Sequence, residues 1–315
     1  MTATAPDWPS LCGGQAPIAE LRQHAADFYV REDLLVPPGG DGGHAWLHVR
    51  KTAVSTPAVA QVLARIAVVR PMDVGYAGMK DARAIAEQWF SVPAGSHDWV
   101  PGELAPGIEL LGSSRQPGKL RRGMHRGNHF TITLRAVARN PGPLPTRIRF
   151  PNYFGARRFG HDNVEAALCW LAQRRRRRIS RFRQGIYLSV LRGLLFNDIL
   201  AARVRDGSWD QPLDGDVTDV DGLPTAPLWG RGRSGTGGVA AEVEQAALAP
   251  HRSWMADLEY SGVSQGRRSL VAVADDVTLE VRDASSLRLA FRLGVGSYAT
   301  ELLRQYFTLR DFADV

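Results

Sequence analysis

Apolar and polar residues exchange places along this chain in two rhythms, and the rhythm changes from one third to the next. Near the start the period is two. Asp27-Phe28-Tyr29-Val30 reads as a strand, and from His44 to Lys51 the residues Trp46, His48 and Arg50 alternate with Leu47 and Val49. Thr56-Pro57 then predicts a helix start, with Thr56 as N-cap and proline at the first helical position. Val59, Val62, Leu63, Ile66 and Val69 follow as a stripe at helical spacing, and Phe130-Thr131-Ile132-Thr133-Leu134 returns to strand alternation.

From about Asn152 the texture is different. Val164, Ala167, Leu168 and Leu171 predict one amphipathic helix, and Leu188 to Val204 a second that is apolar over most of its surface. Asp206 to Gly238, rich in Gly, Asp and Pro, predicts long loops with short strands. Alternation returns at Val277, Leu279 and Val281 and at Leu287, Leu289, Phe291 and Leu293. After the turn Gly294-Val295-Gly296, Ser297 stands where a last helix would be capped. Mixed α/β, then helix and loop, then β again predicts a middle domain inserted into a sheet that the C-terminus completes.

Size agrees with that division, because 315 residues exceed one ordinary core and predict two domains or one with a large insertion. Hydrophobic residues at 44% and charged residues at 23% predict a globular protein rather than a disordered or fibrous one. There is no run of about 18 apolar residues, so no transmembrane helix is expected. The first residues lack the basic-then-apolar pattern of a secretory signal. Cys12 and Cys169 are far apart and outside any CxxC spacing, which predicts neither a disulfide framework nor a zinc site and fits a reducing cytosol. The excess of 39 Lys and Arg over 32 Asp and Glu, a net charge of +7, favours a polyanionic partner.

The candidate chemistry centres on Gly75-Tyr76-Ala77-Gly78-Met79-Lys80-Asp81. Two glycines allow a sharp turn and a close approach to a ligand. Asp81 follows with a cation beside it, ahead of the strand-like run Gln88-Trp89-Phe90-Ser91-Val92. A carboxylate so placed is suited to stay ionised and be presented to a substrate, with Lys80 lowering its pKa. On residue type alone, an aspartate after a turn is more often a cap or a surface group. No HExxH, GxSxG or GxxxxGK[ST] accompanies it, and Gly232 to Gly238 lacks the Lys-Ser/Thr ending of a phosphate loop. One promising carboxylate without a cofactor motif points to redox-neutral chemistry that needs no metal.

Two features bear on nucleic acid. Asn152 to Gly160 interleaves Tyr153, Phe154 and Phe159 with Arg157 and Arg158, and Arg126 to Phe130 does so on a smaller scale. The same rings suit a core at a domain junction, and for most of them that is the stronger reading. The run Arg174, Arg175, Arg176, Arg177 and Arg178 follows a predicted helix, whose C-terminus favours cations. Five adjacent like charges also repel one another, and phosphate relieves that repulsion. With the overall charge, RNA contact is the favoured expectation.

Taken together these segments resemble the TruD family of tRNA pseudouridine synthases. The matching strings are GYAGMKDARAIAEQWFSV at 75–92, RGNHF at 126–130, PNYFGARRFG at 151–160, LRGLLFNDILAARV at 191–204 and GSYAT at 296–300, in the family's order. The resemblance implies an α/β fold of the α+β type: a pseudouridine synthase catalytic domain with a mixed, mainly antiparallel sheet over 1–150 plus 275–315. The family's insertion domain would occupy 151–274. It implies isomerisation of uridine at position 13 of tRNA, without cofactor or metal. Asp81 matches the catalytic aspartate, with Lys80 beside it. Phe28, Asn128, Phe130 and Tyr298 match substrate-contacting positions, and Arg157, Arg158, Arg174, Arg175 and Arg176 are the expected RNA contacts. Departures include Ala26 where an acidic residue is usual, and Tyr298 where many members carry Phe. The chain is expected to be a cytoplasmic monomer with tRNA as partner and no membrane or protein partner. A synthase aimed at another RNA site, or a non-catalytic RNA-binding protein on the same fold, are the alternatives.

Overall fold

The structure is a computed structural model, and it describes residues 7–13, 16–95, 97–160, 162–173 and 178–312, with the main chain alone at Arg157. The chain forms two compact units. One comprises Pro17–Ile148, Ala274–Gly296 and Phe307–Val315; the other comprises Met1–Ala16, Arg149–Val273 and Ser297–Tyr306.

The first unit is built on a sheet. Its early strands are β1 (Ile18–Leu21), β2 (Phe28–Leu34), β3 (His44–Thr52), β4 (Gly75–Tyr76), β5 (Ile85–Pro93), β6 (Gly102–Ala105), β7 (Ile108–Gln116) and β8 (His125–Arg135), with helix α1 (Thr56–Ile66) after β3. β9 (Ile148–Pro151) leads out of it; after β10 (Thr225–Leu228) and β11 (Gly266–Ser269) of the second unit, the chain returns as β12 (Val271–Asp283), β13 (Ser286–Gly294) and β14 (Thr308–Asp311). The strand order is β6-β7-β3-β5-β2-β8-β13-β12, with β1 against both β8 and β14, and β4 against β5. Among its described strand pairs only β2 with β5 and β1 with β14 run parallel, so the sheet is mixed and mainly antiparallel. That is the sheet the resemblance implies.

Alternation sets the faces where one side is solvated. Ile132 and Leu134 of β8 and Leu287, Leu289, Phe291 and Leu293 of β13 are all buried. In β3 the rule holds only in part. Leu47 and Val49 pack with Val59, Leu63 and Phe90 under α1, yet Trp46 on the other face is buried too. Its indole N–H donates to the Gly118 carbonyl at 2.8 Å, and Leu34, Ala77 and Leu120 close around the ring. In β12 the pattern outruns the core: Val277 is buried but Val281 is exposed, beyond a bulge at which Asp276 has a φ of 56°.

Two predicted caps shift by one residue. Ser55, not Thr56, caps α1, its hydroxyl accepting the Ala58 N–H at 3.3 Å, and Pro57 sits in the first turn. The last helix begins after Tyr298, so Ser297 caps nothing. The first shift matters, because it frees the Thr56 hydroxyl for another task.

The second unit contains α2 (Asn163–Gln173), α3 (Arg181–Arg205), β10 (Thr225–Leu228), α4 (Gly238–Leu248), α5 (Arg252–Glu259), β11 (Gly266–Ser269) and α6 (Ala299–Leu303), with β10 and β11 paired antiparallel. By length and composition α3 is apolar enough to cross a membrane, but 61% of its most apolar stretch is buried inside the protein. It is a core helix: Leu191, Leu195, Phe196 and Leu200 pack with Trp8, Tyr153, Phe154 and Phe159. Those rings therefore belong to a core. Residues 7–13 and 297–306 pack in this unit. α4 escaped prediction because its inward residues are Ala240, Glu244 and Leu248, a stripe with a charge in it. Glu244 is tolerated there because Ser234, Thr236 and Arg267 bond its carboxylate.

Candidate active site

The segment 77–84 is a turn without helix, framed by β4 and β5. Gly75 is required by contact. A Cβ there would meet the Leu120 carbonyl oxygen, with Ser91 Oγ at 2.5 Å and Lys119 Cγ at 2.9 Å. Ser91 Oγ already accepts the Leu120 N–H at 2.8 Å, so neither neighbour can yield. Gly75→Ala is expected to lower stability by about 1–3 kcal/mol, the range for overpacking a filled site; urea unfolding checks it.

Beyond Gly75, side chains hold the main chain. Gln88 of β5 donates to the Gly78 carbonyl at 2.6 Å, Thr56 Oγ1 donates to Gln88 Oε1 at 3.1 Å, and the same hydroxyl accepts the Lys80 N–H at 3.0 Å. Lys80 itself turns inward. Its ammonium pairs with Glu32 Oε1 of β2 at 2.6 Å, both side chains almost fully buried. The expected partnership of Lys80 with Asp81 is thus replaced: adjacent residues of an extended turn point to different sides, and Glu32 offers Lys80 a water-free carboxylate.

The cation on Asp81 is Arg22, at the end of β1. One Arg22 guanidinium nitrogen, Nη1, pairs with Asp81 Oδ2, while Nε and Nη2 engage Asp311, with Nε to Oδ1 at 2.9 Å. Its carbon lies 4.8 Å from the centroid of the Phe28 ring. Arg22 has a φ of 61°, a left-handed backbone that costs an ordinary residue about 1–2 kcal/mol. Asp81 Oδ1 accepts the Arg83 N–H at 3.1 Å, closing a local turn, and the Asp81 carbonyl accepts from the Lys51 ammonium of β3. The Asp81 side chain retains 17% of its surface, enough for a reacting atom to reach it.

Register places the rest of the site on one face. Phe28, Val30 and Glu32 of β2 stand opposite Ile132, Phe130 and Asn128 of β8, and Phe291 and Leu293 of β13 continue the rows from Phe130 and Asn128. Phe28 and Phe130 meet edge to face with centroids 5.9 Å apart, and Phe130 stacks on Phe291 at 5.4 Å. Asn128 Oδ1 and His125 Nδ1 are buried with no hydrogen-bond partner among the described residues. Burial holds the His125 imidazole below the usual histidine range, and Lys80 pushes the same way. Asp81, Phe28, Asn128 and Phe130 all belong to this unit. Among the described residues, no cluster of His, Cys, Asp or Glu is placed to hold a metal.

Tyr298 and Arg158 lie in the second unit and keep company there. Arg158 Nη2 donates to the Tyr298 hydroxyl at 2.9 Å, its other terminal nitrogen bonds Ser189, and its guanidinium carbon stands 4.3 Å from the centre of Phe154. Arg268 covers the same ring at 4.2 Å, burial lowering its pKa to about 10. The hydroxyl by which Tyr298 departs from Phe therefore has a partner. The side chain of Arg157, and Arg174, Arg175 and Arg176 altogether, lie outside the described residues.

Sequence reading missed Arg22, Asp311 and Lys51. Nothing local marks Arg22, which sits in an unpatterned polar run. Lys51 did carry a signal, since the alternation that buries Leu47 and Val49 also turns Lys51 inward.

A two-unit α/β chain with an aspartate and a guanidinium at the edge of a mixed sheet has counterparts among known proteins. The fold matches a solved structure of the putative tRNA pseudouridine synthase D (TruD) from Methanosarcina mazei, with a TM-score of 0.64 over 98% of this chain and 95% of that one, at 19% identity. The family model "tRNA pseudouridine synthase D (TruD)" matches residues 13–168. The tRNA pseudouridine synthase D of Methylococcus capsulatus is 39% identical over 333 aligned positions, covering 95% of this chain and 94% of the relative. That of Chromohalobacter salexigens is 34% identical over 95% of this chain and 96% of its own length. The chain belongs to the TruD family.

Proposed function

We propose that this protein is a tRNA pseudouridine synthase, an isomerase that converts uridine to pseudouridine at position 13 of tRNA, with Asp81 at the reacting atoms. The observation that carries the reading is the pairing of a partly exposed Asp81 with the buried Arg22, beside the buried rings of Phe28 and Phe130 and an Asn128 Oδ1 that has no partner among the described residues. The reaction breaks the C1′–N1 bond, turns the uracil and rejoins it through C5, so every atom is retained. Asp81 supplies a carboxylate oxygen, as nucleophile or as base, and Arg22 holds it oriented. The Phe28–Phe130 pair forms an apolar floor for the ring, and Asn128 Oδ1 accepts the uracil N3–H. Lys80, tied to Glu32, positions the turn.

Removing the uridine from its stack costs a few kcal/mol, and aromatic contact returns about 1–3 kcal/mol per base. We assign residues 1–150 plus 275–315 to the catalytic domain and 151–274 to the insertion domain. Tyr298 is a further substrate ring, and Arg157, Arg158 and Arg174 to Arg176 contact RNA phosphates. The protein acts in the cytoplasm as a monomer. Carbodiimide treatment and primer extension on an unmodified tRNA transcript test the function: a stop at the modified uridine appears only after incubation with the protein, and no stop at any uridine overturns the reading. Replacing Arg174 to Arg178 by Gln is expected to flatten the plot of log affinity against log salt by about 0.7–0.9 for each phosphate no longer neutralised. An unchanged slope in a filter-binding titration assigns the run to solvent.

A further inference from the structure

Lys51 is a buried group of the site to which the chemistry just described gives no task. It stands in β3 opposite Ala86 of β5 and Ile108 of β7, and none of its surface is exposed. A lysine so deeply buried is rare without a carboxylate to pair with. Here the ammonium donates to the main-chain carbonyl of Asp81. The charged groups that act on it are Asp81 and Lys80, both on the turn. Arg50 bonds both Glu87 and Glu109, all three at register positions of the opposite face.

The turn makes this contact consequential. Residues 77–84 belong to no helix or strand, and side chains from the surrounding elements hold their main chain: Gln88 at Gly78, Thr56 at Lys80 and Lys51 at Asp81. Lys51 is the one that grips the residue bearing the carboxylate. We propose that Lys51 is a positioning residue for the isomerisation, its ammonium fixing the Asp81 main chain so that the carboxylate is aimed at the ribose or the uracil. The proposal rests on the reading of Asp81 given above.

Burial lowers the Lys51 pKa from the ordinary 10.5 to about 8, Asp81 raising it and Lys80 lowering it. The sign follows. Between about pH 8 and 10.5 the unfolded chain binds a proton that the fold has lost, so stability gained from this group rises with pH through that window. The charge-assisted bond to Asp81 weakens over the same window. Activity therefore falls with rising pH while this contribution to stability rises. An anchor that served folding alone would not lower the rate.

The test uses the full chain, in excess over a tRNA transcript, in single-turnover pseudouridine assays from about pH 6.5 to about 9.5. The wild-type rate is expected to decline above about pH 8 with tRNA affinity unchanged. Lys51→Met keeps length and removes charge. It is expected to retain its melting temperature, to lose about 10²-fold in the saturating single-turnover rate, as a misaimed reacting group does, to keep the half-saturating protein concentration within about twofold, and to lose the alkaline decline. A wild-type rate that stays flat to the upper pH overturns the proposal even if the variant fails to fold. So does a folded variant with a saturating rate near wild type, or one that keeps the alkaline decline. A wild type with no isomerase activity at any pH overturns the parent reading, a failure distinct from one confined to Lys51.

Discussion

Asp81→Asn is expected to abolish pseudouridine formation, by at least about 10⁴-fold or about 5 kcal/mol of barrier, while tRNA affinity stays within about threefold. The substitution is nearly isosteric. Asparagine keeps an oxygen for the Arg83 N–H that closes the local turn, and Lys51 holds a main-chain carbonyl that does not change. What disappears is the anionic oxygen. An amide is neither a competent nucleophile toward the ribose nor a base at neutral pH. Affinity survives because phosphate contacts dominate RNA binding and act at a distance from this carboxylate. Single-turnover carbodiimide mapping gives the rate and filter binding gives the affinity. A variant within tenfold of the wild-type rate would remove Asp81 from the reacting atoms.

The part of this site that was legible in the sequence is the part written in consecutive residues. Gly75 is legible as a residue whose added side chain would strike the Leu120 carbonyl and Ser91, and the run Gln88 to Val92 names the strand that follows, which spans Ile85–Pro93. Side-chain direction within the turn was not legible. Lys80 looked like the cation for Asp81 because the two are neighbours in the chain, yet they face different partners. Arg22 is 59 residues from Asp81 and 289 from Asp311, so its role exists only after β1, β14 and the turn have come together. Thr56 shows the cost of a one-residue error. Read as a cap, it was assigned to its own helix, whereas its hydroxyl joins Gln88 to the Lys80 main chain. Asn128 was legible only through the family resemblance; its unpartnered oxygen is a property of the folded sheet.

The second large effect is expected at Arg22. Arg22→Met should lower kcat by about 10²–10³-fold, the scale for losing one preorganised charged group in a site. It should also destabilise the fold by about 3 kcal/mol, because breaking a buried pair strands charge that burial had already taken from water. Both losses come from the same geometry. The guanidinium is buried and engages Asp81 through one nitrogen and Asp311 through two, so its removal deprives both carboxylates of their shared cation. Arg22→Lys keeps the charge but offers a single ammonium to two acceptors, and is expected to recover part of the stability and less of the rate. Asp311→Asn leaves the Arg22–Asp81 contact in place and should cost less than about tenfold in rate.

A general loss of folding would produce a similar drop in activity, and the double variant separates the two causes. If Arg22 acts through the Asp81 carboxylate, then Arg22→Met in an Asp81→Asn background lowers the already minimal rate no further, since there is no anion left to orient. Its stability cost should shrink as well, because the neighbouring charge has gone. Equal and additive losses in both backgrounds, measured by single-turnover rate and urea midpoint, would make Arg22 a structural clamp between β1 and β14 and leave Asp81 to work without it.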